Sequence, residues 1–281
     1  MAFYGCDFIF DGKRASSFFE GVPNAAHKKL MVYNIGSYGQ DDVDLSVGEI
    51  VEDRINRRYD SLLYGLVHNE PLQFTLVFGI DPDVLTGEMC LNRIDVARVA
   101  EWLTGHREYK ILEIDQPDML HYRFHAMVTG LKVISDGGLP VAFSAEITCD
   151  SPFAYNEPVT YRIDMNSEMN KPFRLDNQSM TNWYYYPVLE IELDGASYIQ
   201  FENTADGGRI MLIENIPSDS GQVIRIDCQN QIITDSLGYN LYPGFNMRFL
   251  RLVPGENNIN ISTDGVGEVR TTCEFPMNLG A

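Results

Sequence analysis

The stretch from Gln222 to Ile261, QVIRIDCQNQIITDSLGYNLYPGFNMRFLRLVPGENNINI, decides the fold class of the chain. It contains four short runs in which apolar and polar residues alternate, and a turn-forming sequence separates each run from the next. Alternation with a period of two buries one face of a strand and exposes the other, which is typical of an antiparallel sheet. In the last turn Pro254 presets the backbone, and Gly255 accepts a positive φ. The predicted strands are Val223–Ile226, Gln231–Ile233, Met247–Leu252 and Asn258–Ile261.

The rest of the second half continues this pattern. Strands recur at short, regular intervals from Tyr161 to Cys273, with turns between them and no helical periodicity. Such spacing predicts a β-sandwich of the jelly-roll type. Pro152 and Pro158 favour an extended connector, because proline removes hydrogen-bond donors from a sheet. We therefore expect two domains, covering residues 1–154 and 155–281.

The first half predicts a mainly β domain with one helix. An Asp11-Gly12 hairpin turn follows an apolar opening strand. The helix is expected over residues 92–104, with Asn92 as its N-cap, Asp95 in the capping-box position and Gly105 as a left-handed terminus. Its apolar stripe is formed by Val96, Val99, Ala100 and Leu103.

Composition limits the possible functions. The 281 residues carry a formal net charge of −19. Binding to nucleic-acid phosphates requires clustered basic residues, and the only such cluster is Arg54, Arg57 and Arg58, so no specific nucleic-acid binding is predicted. No apolar run approaches the roughly 20 residues that span a bilayer, and the N-terminus does not resemble a signal peptide. Five widely spaced cysteines without a CxxC motif predict reduced, structural thiols and synthesis in the cytoplasm.

Motifs for enzymatic chemistry are not found in the sequence. It has no G-x-S-x-G elbow, HExxH helix or P-loop, so no enzyme class is favoured. His121 and His125 alternate along one predicted strand, but no third metal ligand lies nearby, and we interpret them as two strand histidines. The acidic run that begins at Asp41 lacks the glycine and the final glutamate of an EF-hand. We therefore predict no catalytic residue, no cofactor and no metal.

Residue patterns along nearly the whole chain resemble the distal tail proteins of siphoviruses. In the first half they lie in the opening strand, at the end of the predicted helix, in the strands after it and at the domain boundary. In the second half they lie in strands and turns. The matching segments are the apolar opening strand Phe3–Phe10, Glu101-Trp102-Leu103, Tyr109–Leu112, the aromatic strand Tyr122–Phe124, Cys149–Tyr155, Tyr186-Pro187, Ile226-Asp227, Leu252-x-Pro254-Gly255-x-Asn257 and the final strand.

This resemblance implies a structural virion protein and not an enzyme. Its N-terminal domain would be a ring-forming β-sandwich with one helix, and its C-terminal domain a galectin-like jelly-roll β-sandwich. Six copies would form a ring hub at the tail tip, with DNA passing through the central channel. The implied partners are further copies of the chain, the tail tube protein, the tape measure protein and receptor-binding or other tail-associated baseplate proteins. The protein would be assembled in the host cytoplasm and end in the virion.

A long polar segment, residues 36–61, is our candidate for the contacts between copies. It is rich in glycine and in charges of both signs, and a segment of this length without regular structure is unusual inside a compact domain. The arginines could pair with acidic residues of a neighbouring copy, although an ordinary solvated loop is an equally good interpretation. The candidate residues are Asp41, Asp42, Asp44, Glu49, Glu52, Asp53, Arg54, Arg57 and Arg58.

Sugar binding is the alternative function. A carbohydrate-binding adhesin could stack aromatic side chains on a sugar ring, and the second half offers Trp183–Tyr186, Tyr239, Tyr242 and Phe245. Aromatic residues at strand positions more often supply core and interface contacts. Because a fold does not fix a function, the adhesin hypothesis stays open at this stage.

Overall fold

A computed structural model describes most of the chain, in the ranges 7–33, 49–54, 56, 59–67, 70–82, 90–165, 170–217 and 221–279. Within these ranges the protein is mainly antiparallel β with one α-helix, as the sequence predicts. Contacts divide it into two compact units, residues 1–156 with 278–281 and residues 157–277.

In its described residues the first unit contains ten strands and one helix. The strands are β1 (Asp7–Phe10), β2 (Lys13–Arg14), β3 (Leu30–Val32), β4 (Glu49–Asp53), β5 (Leu62–Val67), β6 (Gln73–Ile80), β7 (Lys110–Asp115), β8 (Tyr122–Asp136), β9 (Leu139–Cys149) and β10 (Ala154–Asn156), and the helix is α1 (Arg93–Thr104). The main sheet has the order β2-β1-β7-β8-β9-β6-β3, and β10 pairs with β8. The Asp11-Gly12 hairpin turn is confirmed, because β1 pairs with β2 and both turn residues have positive φ.

Helix α1 packs through Trp102, a buried residue that the predicted apolar stripe did not include. The indole ring stacks between Phe8, with a centroid distance of 5.6 Å, and Phe18, at 4.5 Å. Its N–H donates to the Phe10 carbonyl oxygen over 3.1 Å. Trp102 therefore joins the helix to the opening strand and to the segment after β2, and stacked aromatic pairs of this kind stabilise a core beyond their buried area.

The two ends of the helix were predicted with different success. The capping box is confirmed, because the Asn92 side chain accepts from the Asp95 backbone N–H at 2.9 Å and the Asp95 carboxylate accepts from the Asn92 N–H at 3.2 Å. The prediction of a left-handed terminus at Gly105 is wrong, since its φ is −73°. Glycine suits this position for another reason: a Cβ there would lie 2.5 Å from the Glu101 carbonyl oxygen.

The described part of the second unit is built from strands and two short 3₁₀ helices. The strands are β11 (Val159–Asp164), β12 (Asn170–Asn177), β13 (Val188–Asp194), β14 (Tyr198–Asn203), β15 (Arg209–Glu214), β16 (Gln222–Asp227), β17 (Ile232–Asp235), β18 (Gly255–Thr263), β19 (Val266–Cys273) and β20 (Pro276–Met277), and the 3₁₀ helices are Thr204–Asp206 and Tyr242–Gly244. One sheet has the order β11-β19-β13-β16-β17 and the other β12-β18-β14-β15. Buried side chains of both sheets form one core, as expected of a sandwich, while the galectin-like detail stays a prediction.

The predicted strand Met247–Leu252 is wrong. Met247 has a φ of 58°, which interrupts an extended backbone, and the Asn246 side chain accepts from the Arg248 backbone N–H at 3.2 Å. In this region only Leu252 forms a ladder contact, an isolated bridge to Tyr185. Alternating residues at 247–252 thus bury Phe249 and Leu250 without forming a strand.

The turn that follows this segment explains the sequence pattern Pro254-Gly255-x-Asn257. Gly255 has a φ of 82°, as predicted. The buried Asn257 side chain accepts from the Val253 backbone N–H at 2.9 Å and donates to the Val253 and Gly255 carbonyl oxygens at 2.8 and 2.9 Å. It also accepts from the Asn203 amide at 2.9 Å. Asn257 therefore satisfies the polar backbone of the turn that leads into β18.

The cysteines of the described ranges are free thiols. Cys149, Cys228 and Cys273 are buried, and Cys90 is partly exposed. Burial in apolar surroundings raises the pKa of Cys149 and of Cys228 to about 12, because it disfavours the thiolate. These thiols act as small core residues, which agrees with the structural role expected of them.

Candidate assembly surface

A two-stranded hairpin, β4 paired with β5, stands apart from the main sheet of the first unit. We call these two strands the arm. Its register runs from Glu49 opposite Val67 to Asp53 opposite Leu62, with an irregularity after Val51. In the described part of the chain neither strand pairs with any other. An isolated two-stranded hairpin is only marginally stable in water, so the arm needs a partner to be well ordered.

The arm exposes apolar side chains on both of its strands. Ile50 is 59% exposed, Leu63 68% and Tyr64 65%, and Val51 is also exposed. Every residue of β4 is exposed. Clustered apolar side chains at the surface of a soluble protein mark interaction sites, because contact with a partner removes them from water. Within the described ranges the outer edges of the arm join no further strand, and edges of this kind can pair with a strand of another molecule.

The acidic side chains of the arm are held by local hydrogen bonds. Glu52 accepts from the Ser61 hydroxyl at 2.6 Å and lies 3.5 Å from the Arg54 guanidinium. The Ser61 hydrogen bond, followed by the charge of Arg54, lowers the pKa of Glu52 below its usual value. Asp53 accepts from the Tyr64 hydroxyl at 3.1 Å. The described arm thus presents fixed carboxylates beside its apolar residues.

The structure places the predicted contact residues in two groups. Asp41, Asp42, Asp44, Arg57 and Arg58 lie outside the described residues. The other group, on and after β4, consists of Glu49, Glu52, Asp53 and Arg54.

The expectation of irregular structure over residues 36–61 is wrong for Glu49–Asp53, which forms a strand. The charged residues of this segment hid the strand signal, which lies in the adjacent Ile50 and Val51 and in the apolar run of β5. Arg54 lies beside Glu52 of its own chain, and its pairing with another copy stays a prediction.

A second surface of the first unit is a groove of about 590 Å³ beside α1, which we call the helix groove. Its apolar floor consists of Phe18, Val22 and Trp102. Phe18 and Val22 are only partly buried, and they pack against the core of the unit. Polar residues surround this floor, namely Asp11, Lys13, Arg98, Glu101 and His106.

The charges around the helix groove are unevenly paired. Asp11 lies 3.6 Å from the Lys110 amine and 3.9 Å from His106 Nε2. In contrast, neither Lys13 nor Arg98 forms an ion pair with any residue in the described ranges, and both are exposed. Glu101, also exposed, forms no ion pair in the described ranges either, so the groove joins an apolar floor to two unpaired cations and one unpaired carboxylate.

Three of the aromatic residues considered for sugar binding make contacts within the second unit. Phe245 is buried and packs edge to face on Phe249 at 4.7 Å. The Tyr242 hydroxyl accepts from the Ile233 backbone N–H at 2.9 Å, so it covers part of an edge strand. The Arg251 guanidinium lies over the Tyr184 ring, with its Cζ atom 3.9 Å from the ring centroid. These contacts support structural uses for the three rings.

The histidines of the predicted alternation lie in different settings. His121 precedes β8, whereas His125 lies within it and its Nδ1 is 3.1 Å from Asp150 Oδ2. Across the described ranges no three His, Cys, Asp or Glu side chains converge as metal ligands. No helix in those ranges has the length and apolar character needed to cross a membrane.

Comparisons with known proteins agree with this architecture. A model described as the phage tail protein N-terminal domain matches residues 3–151, and one described as the phage tail C-terminal domain matches residues 153–273. A comparison with curated protein sequences gives no match.

The fold is similar to that of a solved phage protein. The crystal structure of Dit from phage SPP1 has a TM-score of 0.60 and 11% identity, covering 96% of this chain and 99% of that one. Dit is described as a paradigm of the hub adsorption apparatus in phages that infect Gram-positive bacteria. At this identity the likeness shows the fold alone. The infectious bursal disease virus VP2 subviral particle gives a TM-score of only 0.20 at 12% identity, covering 95% of this chain and 67% of that one.

Proposed function

Because the chain belongs to the phage tail protein family whose N-terminal domain model spans residues 3–151, we propose that it is the hub at the distal end of the tail. In this proposal six copies close a ring that joins the tail tube to the receptor-binding and other tail-associated proteins, and the tape measure protein also contacts it. The Dit-like fold supports a hub, since Dit is described as part of a hub adsorption apparatus. The role is structural and requires no catalysis.

The arm is the observation that carries this proposal. An exposed, isolated hairpin with apolar side chains on both strands is unfavourable in a monomer and favourable in an assembly. A contact between copies that uses different surfaces on the two partners generates a ring when its rotation closes. The arm gives the first unit one surface that can form a contact of this kind, and a ring-forming domain requires such a contact surface.

The acidity of the chain is compatible with DNA passing through the ring. Six copies would carry 114 formal negative charges, six times 19. At physiological salt each charge acts over about 8 Å, so only acidic residues on the inner wall would repel passing DNA. Such repulsion would keep the polymer from adhering to the channel. In this proposal the second unit faces outward and positions the host-recognition proteins.

Immunogold electron microscopy of intact phage particles tests the proposed location. Antibodies raised against residues 157–277 should label the distal end of the tail, where the hub would lie. Labelling along the whole tail or at the head junction would overturn the proposal. Assembly in the host cytoplasm is tested by fractionating infected cells before lysis, when the protein should be found in the soluble fraction.

A further inference from the structure

We propose that the arm of one copy docks in the helix groove of the neighbouring copy, an inference that rests on the proposed ring. The arm, strands Glu49–Asp53 and Leu62–Val67, has no partner strand in the described part of its own chain. The helix groove beside α1 is a separate surface of the same unit. Because the arm and the groove lie on the same chain and each can serve as the partner of the other, we assign a second copy of this chain as the occupant of the groove.

The two surfaces match in polarity. The arm exposes Ile50 and Leu63, and the groove has an apolar floor that includes Phe18 and Val22. Joining them removes apolar area from water on both sides, which is the main driving force of protein association. The groove floor is itself rigid, because Phe18 stacks on Trp102 at 4.5 Å and Trp102 is fixed by its hydrogen bond to Phe10. A rigid receptor lowers the entropic cost of binding.

The two surfaces also match in charge. Glu49, Glu52 and Asp53 make β4 acidic, whereas Lys13 and Arg98 at the groove lack partners within the described ranges. Opposite charges across an interface select the correct partner and orientation, and like charges there cost several kcal/mol. Elsewhere on so acidic a chain, the arm would more often meet carboxylates. At the helix groove Asp11 is already paired with Lys110, so the two unpaired cations face one unpaired carboxylate, Glu101, and leave the site with an excess of positive charge for the acidic strand.

The geometry of such a contact is head to tail. Arm and groove share no residue, so a copy whose arm is bound by one neighbour keeps its own groove free for another. Heterologous contacts of this kind close into a ring or continue as a filament, whereas a self-complementary contact stops at a dimer. One repeated contact therefore accounts for every junction of a ring.

Two variants separate the halves of the contact. The arm variant carries Ile50→Asp and Leu63→Asp, and the groove variant carries Lys13→Glu and Arg98→Glu. All four positions are exposed, so both variants should fold, and circular dichroism checks this. Each variant alone should need about 100-fold more protein for half-assembly than the unmodified chain. A matched control, Ile232→Asp, alters an exposed apolar residue of the second unit and should leave assembly unchanged.

Mixing the two variants gives the decisive result. The groove variant keeps an intact arm, and the arm variant keeps an intact groove. In an equimolar mixture one molecule of each variant can therefore form a single contact, and no intact arm or groove is left in that pair for a second one. Mass photometry should show heterodimers in the mixture and monomers in each variant alone. If the groove variant still forms complete rings, or if the mixture contains only monomers, the arm does not dock in this groove. Absence of rings from the unmodified protein would instead contradict the proposed hub.

Discussion

The Lys28 amine lies 2.7 Å from Asp95 Oδ2, and both side chains are only 2% exposed. The same carboxylate accepts from the Asn92 backbone N–H, so it connects the segment before β3 with the first turn of α1. The positive end of the helix dipole also stabilises a carboxylate in this turn. Because α1 forms one wall of the helix groove, this buried ion pair fixes the surface on which we expect assembly to depend.

Replacing Lys28 by methionine should destabilise the first unit by about 3–5 kcal/mol, because it leaves the Asp95 carboxylate buried without its ion-pair partner. The measurement is urea unfolding followed by Trp102 fluorescence in a Trp183→Phe background, which leaves one of the two tryptophans. Lys29→Met, at the exposed neighbouring position, is the control and should change the free energy of unfolding by less than about 0.5 kcal/mol. Equal effects of the two substitutions would show that the pair contributes nothing specific.

The backbone amides of the arm should exchange with solvent at rates that depend on protein concentration. In dilute monomers an isolated hairpin opens often, so amides of Glu49–Asp53 should exchange quickly. In the ring a partner covers them, and exchange should slow by at least about tenfold. Mass spectrometry of peptides after deuterium labelling measures this. Peptides from β13, the central strand of its sheet, should be equally protected at both concentrations. Fast exchange of the arm in assembled rings would exclude it from the contact.

Replacing Asn257 by alanine should destabilise the second unit by about 2–4 kcal/mol. The substitution removes the acceptor for the Val253 N–H and the donors to two carbonyl oxygens in a buried turn, and each unsatisfied group costs about 1–3 kcal/mol. Thermal unfolding of the variant measures the loss. The neighbouring Asn258→Ala, at an exposed position, serves as the control and should leave the melting temperature nearly unchanged. A melting temperature of the Asn257 variant equal to that of the control would contradict the role assigned to this side chain.

Cys149 and Cys228 should resist alkylation by iodoacetamide at pH 8 in the native protein and react readily in denaturant. Raising the pKa of a thiol from 9.0 to about 12 lowers its thiolate fraction roughly a thousandfold at this pH. The same shift makes the free energy of unfolding depend on pH. Burial of the two neutral thiols contributes fully to this free energy below pH 9.0, and the contribution decreases as the pH rises from 9.0 towards 12. The partly exposed Cys90 serves as the internal reference. If Cys149 were labelled as fast in the native protein as in denaturant, the result would contradict the burial of this side chain.

Local signals in the sequence predicted many elements well. The Asp11-Gly12 turn, the Asn92 capping box and the positive φ of Gly255 depend on backbone preferences within a few residues, and all three are confirmed. The errors arose where tertiary contacts override such preferences. Alternation at residues 247–252 predicted a strand, but Met247 adopts a positive φ and the segment packs as an irregular connection.

The candidate surface was only partly predictable. Charge and the apparent lack of pattern indicated residues 36–61, yet the strand β4 within them becomes evident only when it pairs with β5. The helix groove could not be found from sequence, because it brings together Lys13, Phe18 and Arg98 from separate elements. Three-dimensional packing alone juxtaposes these residues.

The most direct measurement of the central claim is electron microscopy of the purified, unmodified protein, with its mass determined in the same sample. The hub proposal predicts closed annuli of six copies, each of 31.8 kDa, so a particle mass of about six times that value. Monomers at every concentration tested, with no annular particles, would contradict it.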